Sequence, residues 1–328
     1  MTLVAIGACY LDTILTGFCL ESGIHMLRLE PPYYPGEDEK LRASRISRRR
    51  GGNCPNTLEV LGQLLQYEPS NAESSLNLIA VLPSKSSVPC QQIQSSLGNM
   101  VRLDSCIYRE RFSEPASSYI ITSQATGSRT IVNYNGLPEM TRTEFATAVE
   151  PLRAVTDRPW FHFEGRAPDV TLECIRYLRE HFPGAEISVE VEKSGRPGLQ
   201  GLADVADVVI YSKGWAQNNG YTSAEDCLRG QSLTSRASLL CCTWGSDGAA
   251  ALELKTGNFA HVPAHTEEVG VVDTIGAGDT FNAGLLYGLI YRGQEWGFRK
   301  KLEFANLIAG LKVTQEGFTD LQRALDVV

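Results

Sequence analysis

A glycine-rich turn in front of an apolar helix is the part of the sequence best suited to chemistry. Gly276, Ala277, Gly278 and Asp279 follow one another, and the segment 280–290 has a helical pattern despite its glycines. The first backbone N–H groups of a helix have no partner within it, and the helix dipole is positive there. Because glycines let an anion approach the backbone closely, the turn is predicted to bind a transferring phosphoryl group.

Asp279 places a proton acceptor beside that turn. A carboxylate at a helix start can take the proton of an attacking hydroxyl that lies within hydrogen-bond reach. Phosphoryl transfer depends mainly on positioning and charge stabilisation, and the turn could supply both. For a bare Gly-x-Gly-Asp, however, the simpler interpretation is the stronger one: Asp279 caps the helix and the glycines allow a tight turn.

The elements that must position this turn alternate between strand and helix after residue 150. Strands are predicted at 160–163, 187–191, 208–211 and 239–243, and helices at 170–181 and 224–229. This alternation predicts an α/β fold with a mostly parallel central sheet flanked by helices on both faces. Ligands of such sheets bind beyond the C-terminal edge. Polar or glycine residues follow the strands there and predict one cleft: Asp12, Glu164 to Arg166, Glu192 and Lys193, Ser212 and Lys213, and residues 244–248.

The first half of the chain is less regular. An apolar strand from Leu3 to Ile6 is followed by a proline-rich loop at 31–40, and a helical pattern begins after Asn53. The arginines at 48–50 favour a solvated edge over a phosphate-binding patch. Residues 117–122 and 129–133, on either side of a turn at 125–128, predict a β-hairpin.

The composition is that of a globular protein. The chain has 328 residues, of which 43% are hydrophobic, and its net charge of −8 argues against a nucleic-acid partner. It has no run of eighteen apolar residues and no signal-peptide pattern, so we expect a cytoplasmic protein without membrane contact. Its nine cysteines form no Cys-x-x-Cys pair, and we expect them to be reduced and buried.

Longer stretches carry a family resemblance. The nonapeptide 273–281 resembles the C-terminal signature of the ribokinase-like (PfkB) carbohydrate kinases, and Gly51-Gly52-Asn53-x-x-Asn56 is similar to their N-terminal sugar-binding signature. Within the family the ketohexokinase branch is the most similar, through segments in the same order along the chain: 50–53, 129–133, 162–166, 188–193, 223–226, 228–230 and 273–281. The resemblance implies a ribokinase-like fold with a small β-sheet lid.

The resemblance also implies roles for single residues. Asp279 would be the catalytic base, and the Gly276, Ala277 and Gly278 amides would form an anion hole. The sugar hydroxyls would be held by Asp12, Gly52, Asn53 and Asn56, while Glu164 would order the sugar site or the lid. From the residues alone, capping of the helix that follows is the favoured role of the two asparagines.

On the nucleotide side the resemblance implies ATP with Mg²⁺, and it allows a monovalent cation. Arg129 would reach the phosphates, and Trp244, Ser246 and Gly248 would line the adenine nucleotide. An exposed hairpin arginine and a core tryptophan are the simpler alternatives for Arg129 and Trp244. Many relatives carry an Asn-x-x-Glu motif where this chain has 212–215, Ser-Lys-Gly-Trp. That difference leaves the magnesium ligands unassigned, and Glu190 and Glu192 are candidates only for contacts through water.

The resulting expectation is one kinase domain over 1–328, with a lid built from 13–50 and 106–135 that joins two copies into a homodimer. Its reaction would be phosphorylation of a ketohexose such as fructose to the 1-phosphate. Another sugar, a nucleoside or a sugar acid is the first alternative, and a catalytically silent sugar- or nucleotide-binding regulator is the second. A dinucleotide-binding protein is disfavoured because the segment from Gly7 to Asp12 lacks Gly-x-Gly-x-x-Gly.

Overall fold

The computed structural model describes residues 1–20, 37–38, 40–67, 74–122, 129–154, 158–265 and 270–327. Within these ranges nine strands form the central sheet: β1 (Thr2–Ile6), β4 (Ser75–Ile79), β6 (Val101–Arg102), β10 (Trp160–Glu164), β11 (Glu186–Val191), β12 (Val208–Tyr211), β13 (Leu239–Thr243), β14 (Ala249–Glu253) and β15 (Phe259–Val262). They lie in the order β15-β14-β13-β12-β11-β10-β1-β4-β6. All neighbours pair in parallel except β13 with β14 and β14 with β15.

Helices cover both faces of this sheet. They are α1 (Asn53–Tyr67), α2 (Val88–Ser96), α3 (Arg142–Val149), α4 (Pro168–His181), α5 (Leu199–Ala203), α6 (Lys213–Asn218), α7 (Ala224–Ser232), α8 (Ala277–Ile290) and α9 (Phe298–Val313). Helices α3 to α7 pack on one face, and α1, α2, α8 and α9 pack on the other. The fold class predicted from the alternation, a mostly parallel sheet between two helical layers, is confirmed.

The central strands form because their side chains are apolar on both faces. Every residue of β1 is buried, and in β13 the neighbours Cys241 and Cys242 belong to cores on opposite faces. Consecutive strand residues point to opposite sides of a sheet, so a run without polar alternation suits a strand covered twice. Among the described side chains the cysteines are buried free thiols, as expected.

A smaller sheet lies beside the central one. In the described part of the chain it consists of β3 (Leu41–Gly51), β2 (Tyr10–Leu20), β8 (Ser117–Thr122) and β9 (Arg129–Tyr134), in that order. Strands β8 and β9 pair antiparallel, as the hairpin prediction required, while the predicted turn at 125–128 lies outside the described residues. Most of the predicted loop at 31–40 also lies outside them. A separate parallel pair joins β5 (Val81–Pro83) to β7 (Ile107–Arg109).

The prediction of a solvated arginine edge at 48–50 is wrong for Arg50. This side chain is 7% exposed, and its guanidinium pairs with Glu59 and donates to Asn56 Oδ1 over 2.8 Å. Arg50 lies near the end of β3, just before α1 begins, so its partners come from the first turns of that helix. A buried guanidinium is stable there because carboxylate and amide oxygens replace water.

Two helix starts meet at the C-terminal edge of the sheet. Helices α1 and α8 pack against each other, and Thr57 Oγ1 donates to the Asp279 carbonyl over 3.1 Å. Gly284 lets α9 approach α8, because a Cβ at this position would lie 2.8 Å from the Ala305 Cα. No helix of the described ranges is both long and apolar enough to span a bilayer.

Candidate active site

A cavity of about 390 Å³ opens at this edge, between the central sheet and the small sheet. Its wall includes seven of the predicted residues: Asp12, Gly52, Asn53, Asn56, Gly276, Gly278 and Asp279. The strand ends contribute further polar groups: Glu190, Glu192, Ser212 and Thr243. Side chains separated by more than 200 positions in the sequence therefore share one wall, which includes Asp12, Glu192 and Ser212 of the predicted strand-end residues but not 164–166 or 244–248.

The glycine turn has the geometry of an anion receptor. Gly276 precedes α8 with φ +80°, and a Cβ there would lie 2.4 Å from the Phe318 ring. Both the backbone conformation and the lack of space therefore exclude a side chain. The Ala277 amide donates a long bond of 3.3 Å to the Thr274 carbonyl. No described acceptor engages the amides of Gly276 and Gly278. Two of the three predicted amides are thus available to an anion at the cavity wall.

Asp279 lies one turn into α8 and is 9% exposed. Its Oδ2 accepts from Asn56 Nδ2 over 2.6 Å, and the Arg50 bond to Asn56 Oδ1 fixes the orientation of that amide. Burial, followed by the charge of Glu190, raises the pKa of Asp279 well above its ordinary value, and the Asn56 hydrogen bond opposes the shift. The result is a carboxyl group with a raised proton affinity, held at the anion-binding turn.

Asn53 and Asn56 do not cap α1 through their side chains. Asn53 Nδ2 donates to Glu190 Oε2 over 2.7 Å and to Glu192 Oε2 over 2.8 Å. The Asn56 amide lies between Arg50 and Asp279. Both side chains are therefore committed to the cavity wall, and the helix-capping alternative loses its support.

Asp12 is carried by β2 on the opposite wall. Gly51 on the paired strand makes room for it, because a Cβ at that glycine would lie 2.4 Å from Asp12 Oδ2. Its Oδ1 is a buried oxygen without a hydrogen-bond partner among the described residues. Burial raises the pKa of Asp12, against a lowering by a Ser118 hydrogen bond and the charge of Arg49. Gly52 has φ +110°, and a Cβ at this position would lie 2.1 Å from the Ala8 carbonyl oxygen, so no side chain fits there.

Glu164 lies outside this cavity. Its Oε2 accepts from the Ala8 amide over 2.8 Å and lines a smaller pocket together with Arg166 and Leu137. Burial, opposed by the Ala8 bond, raises the pKa of Glu164 to about 7. The contact fixes the turn between β1 and β2, so Glu164 supports Asp12 through the backbone.

A buried lysine anchors the segment before the glycine turn. Lys312 is 0% exposed, and its Nζ donates to Asp273 O over 2.9 Å, to Asp273 Oδ2 over 3.0 Å and to Gln315 O over 3.3 Å. Arg49 of the small sheet lies 3.5 Å from the same Oδ2. Asp273 thus joins α9, the glycine turn and the small sheet, a role that the signature motif did not reveal.

Three of the predicted nucleotide residues, Trp244, Ser246 and Gly248, are not on the cavity wall. Trp244 is 6% exposed and packs in the core, with Lys213 Nζ 5.6 Å from its ring centre, which favours the core alternative. Ser246 is exposed, and Gly248 closes the turn with φ +88°. Arg129 begins β9, but its side chain lies outside the described part of the structure.

Polar residues inside the strands have a larger part in the site than the sequence motifs indicate. The motifs connect Glu190 and Glu192 only with magnesium, and they give no role to the buried pair His162 and Ser188. A signal was present, because polar residues alternate with apolar ones in 160–164 and 186–192. Alternation of this kind marks one polar face of a strand.

Replacement of Glu164 by Gln should make stability less dependent on pH. Glutamine keeps an oxygen for the Ala8 amide but cannot ionise. The folded-state pKa of about 7 exceeds the ordinary 4.5, so the folded protein retains a proton that the unfolded chain releases. Wild-type stability should therefore fall relative to the variant as pH rises from about 4.5 to 7, by at most about 3 kcal/mol, and the difference should be constant above that range.

Urea unfolding of both proteins across this pH range, in EDTA, measures the effect. Glu173→Gln, at an exposed glutamate on α4, is the matched control. Parallel pH profiles for wild type and Glu164→Gln would contradict the raised pKa.

The sequence matches a known protein family over most of its length. The model of the pfkB family carbohydrate kinases matches residues 23–324. Ketohexokinase of Mus musculus is 30% identical over 296 residues, which cover 87% of this chain and 91% of the mouse protein. The chain therefore resembles this relative over most of both sequences.

Solved structures agree at the level of the fold. Arabidopsis thaliana ribokinase, solved with ribose and ATP, superposes with a TM-score of 0.75 at 17% identity, covering 99% of this chain and 97% of that one. Giardia lamblia ribokinase gives a TM-score of 0.73 at 16% identity, with the same coverage. The fold is ribokinase-like, and with the family match it follows that the chain belongs to the pfkB family of carbohydrate kinases, which phosphorylate sugars with ATP.

Proposed function

We propose that this kinase phosphorylates a ketohexose such as fructose, transferring the γ-phosphoryl group of ATP to the O1 hydroxyl. The observation that carries the chemistry is the buried Asp279 carboxyl beside free amides at the start of α8. The preference for a ketohexose rests on the similarity to mouse ketohexokinase. Both parts are separately testable.

In this proposal Asp279 is the base. Its raised pKa makes the ionised carboxylate a stronger proton acceptor than an exposed aspartate. Asn56 engages Oδ2, so Oδ1 is left for the sugar hydroxyl, whose oxygen attacks the γ-phosphorus as its proton passes to the carboxylate. Charge developing on the phosphoryl oxygens is stabilised by the amides of the 276–278 turn.

The sugar is held by Asp12, Gly52, Asn53 and Asn56. Asp12 supports this most directly, because its Oδ1 is a buried acceptor that a sugar hydroxyl would satisfy. We assign Glu164 an indirect part, through the Ala8 amide. The single-domain organisation, with a lid built from 13–50 and 106–135, is part of the same proposal.

The nucleotide would lie on the side of the turn at 244–248. The Trp244 side chain lies in the core. Any contact of this turn with the adenine would therefore come from backbone atoms, including those of Gly248, or from the Ser246 side chain. Arg129, at the start of β9, would reach the phosphates from the small sheet; a guanidinium suits phosphate oxygens because its donors are fixed in a plane.

Magnesium fits the charge of the cavity. Glu190, Glu192 and Asp279 lie on its wall and would repel the triphosphate unless a divalent cation lay between them. Glu190 already accepts from His162 and Asn53, which suits a hydrated ion held mostly through water. When bound, Mg²⁺ would neutralise charge on the β- and γ-phosphate oxygens. Turnover in potassium compared with tetramethylammonium salts would show whether a monovalent cation takes part.

Replacement of Asp279 by Asn should abolish turnover while sugar and nucleotide affinities stay nearly unchanged. The amide cannot accept the proton, and loss of such a base typically costs about 10²–10⁴-fold in kcat. Steady-state kinetics and calorimetry measure the two effects. Asp104→Asn, at an exposed aspartate outside the cavity wall, is the control. Activity near that of wild type would remove Asp279 from the role of base.

A substrate panel tests the ketohexose assignment. With coupled ADP detection, fructose should be turned over with a higher kcat/KM than ribose, adenosine or a sugar acid, and ³¹P and ¹³C spectra should place the phosphate on C1. Good turnover of ribose or adenosine without turnover of fructose would overturn the assignment. Sugar binding without phosphorylation of any acceptor would instead support a silent regulator.

A homodimer through the small sheet is the last part of the proposal. Tyr119 pairs with Val132, and residues alternate along strands, so these two and Tyr134 lie on the face turned away from Asp12. Their exposed fractions are 49%, 60% and 51%. Apolar side chains gathered on one sheet face favour a second copy as the cover.

Light scattering should therefore give twice the chain mass of 35.9 kDa. Val132→Arg should shift the mass toward one chain, because a buried charge without a partner opposes association. Leu233→Arg, at a leucine that is 84% exposed on a different part of the surface, should leave the dimer intact. A wild-type mass of one chain would refute this arrangement.

A further inference from the structure

A row of buried polar side chains crosses two neighbouring strands behind the cavity. Trp160 and His162 lie two residues apart on the same face of β10, and Ser188 and Glu190 do so on β11. The strand register pairs His162 with Ser188. His162 and Ser188 are 0% exposed and Glu190 is 3% exposed. Buried polar groups destabilise a fold unless they are hydrogen-bonded, and each of these side chains has a partner within the row.

The donors and acceptors in the row fix the direction of each hydrogen bond, from Trp160 at one end to Glu190 at the other. The indole N–H of Trp160 can only donate, and it lies 2.8 Å from Ser188 Oγ. The serine hydroxyl accepts that bond and has its own proton to give, for which His162 Nδ1 is 2.8 Å away. The imidazole proton then lies on Nε2, which donates to Glu190 Oε1 over 2.8 Å. The opposite tautomer would place a lone pair against the carboxylate.

The row ends on the sugar-site asparagine. The two protons of Asn53 Nδ2 are both used, one on Glu190 Oε2 and one on Glu192 Oε2. A reversed amide would bring its oxygen against two carboxylates. Only the Asn53 carbonyl oxygen is therefore left for a ligand in the cavity that this residue lines.

One end of the row also has the spacing of a metal site, because ligand atoms of Cys54, His162 and Glu190 lie within 4.8 Å of one another. Each of these atoms already has a partner, however. Cys54 Sγ donates to the Ile6 carbonyl over 3.2 Å, and the imidazole engages Ser188 and Glu190 directly. A hydrogen-bonded row accounts for the geometry without an ion.

We propose that His162 is a positioning residue for substrate recognition: through Glu190 it holds the Asn53 amide so that the cavity offers a carbonyl acceptor to a substrate hydroxyl. The inference rests on the proposed role of Asn53 in sugar binding. Ser188 and Trp160 set the tautomer of His162 from the side of the ring away from the cavity, where they are out of reach of the substrate.

The first test does not depend on catalysis. In protein labelled with ¹⁵N-histidine, long-range ¹H–¹⁵N spectra should show His162 with its proton on Nε2 and a bare Nδ1, the signals being assigned by their absence in His162→Gln. A proton on Nδ1, or on both nitrogens, would overturn the proposal. This outcome stands even if the substrate proves not to be a sugar, so the two proposals can fail separately.

The second test is kinetic. Ser188→Ala and His162→Phe should raise the KM for the sugar roughly tenfold, the size of one lost hydrogen bond, with kcat and the KM for ATP little changed. His162→Gln retains an N–H donor for Glu190 and should restore a sugar KM near that of wild type. His181→Gln, at a histidine on the far helix α4, is the control.

An unchanged sugar KM in Ser188→Ala and His162→Phe would contradict the proposal, as would an equal rise for both substrates in all variants. If His162→Phe fails to fold, Ser188→Ala and His162→Gln still decide the matter, since neither leaves a bulky apolar ring in the row.

Discussion

A carboxyl group kept out of water at the positive end of a helix is the constraint on which the site depends. Asp279 is buried where the α8 dipole and free amides attract negative charge, while Glu190 repels it. The Asn56 amide stabilises the carboxylate, and Arg50 holds that amide in place. Burial and the charge of Glu190 therefore raise the pKa of Asp279, and the packing of α1 against α8 supplies the Asn56 hydrogen bond that opposes the rise.

The other groups of the site come from the two sheets. The parallel strands of the central sheet end at one edge, which gathers carboxylates around the cavity, and the helix starts supply the opposite partial charge. The small sheet completes the wall through Asp12 and touches the glycine turn through the contact of Arg49 with Asp273. The anion receptor and the base, which adjoin at the start of α8, thus meet a sugar site carried by elements that are distant in sequence.

The predictable features were those encoded locally. The glycine turn, Asp279 and the asparagine pair at the start of α1 were found because they lie within short motifs, and the alternation of elements indicated the fold. What could not be predicted depends on contacts between segments. The burial of Arg50 depends on partners in the next helix, which its own arginine-rich segment does not indicate. Whether the Trp244 ring faces the core or a ligand depends on the packing around it, and the row through His162 depends on the register of β10 on β11.

A structure of the complex with fructose and a non-hydrolysable ATP analogue tests the central claim most directly. The O1 hydroxyl should lie about 2.6–3.2 Å from an Asp279 oxygen, with γ-phosphate oxygens at the amides of Gly276 and Gly278. A sugar bound with every hydroxyl beyond the reach of Asp279, or a phosphate held away from the start of α8, would contradict it.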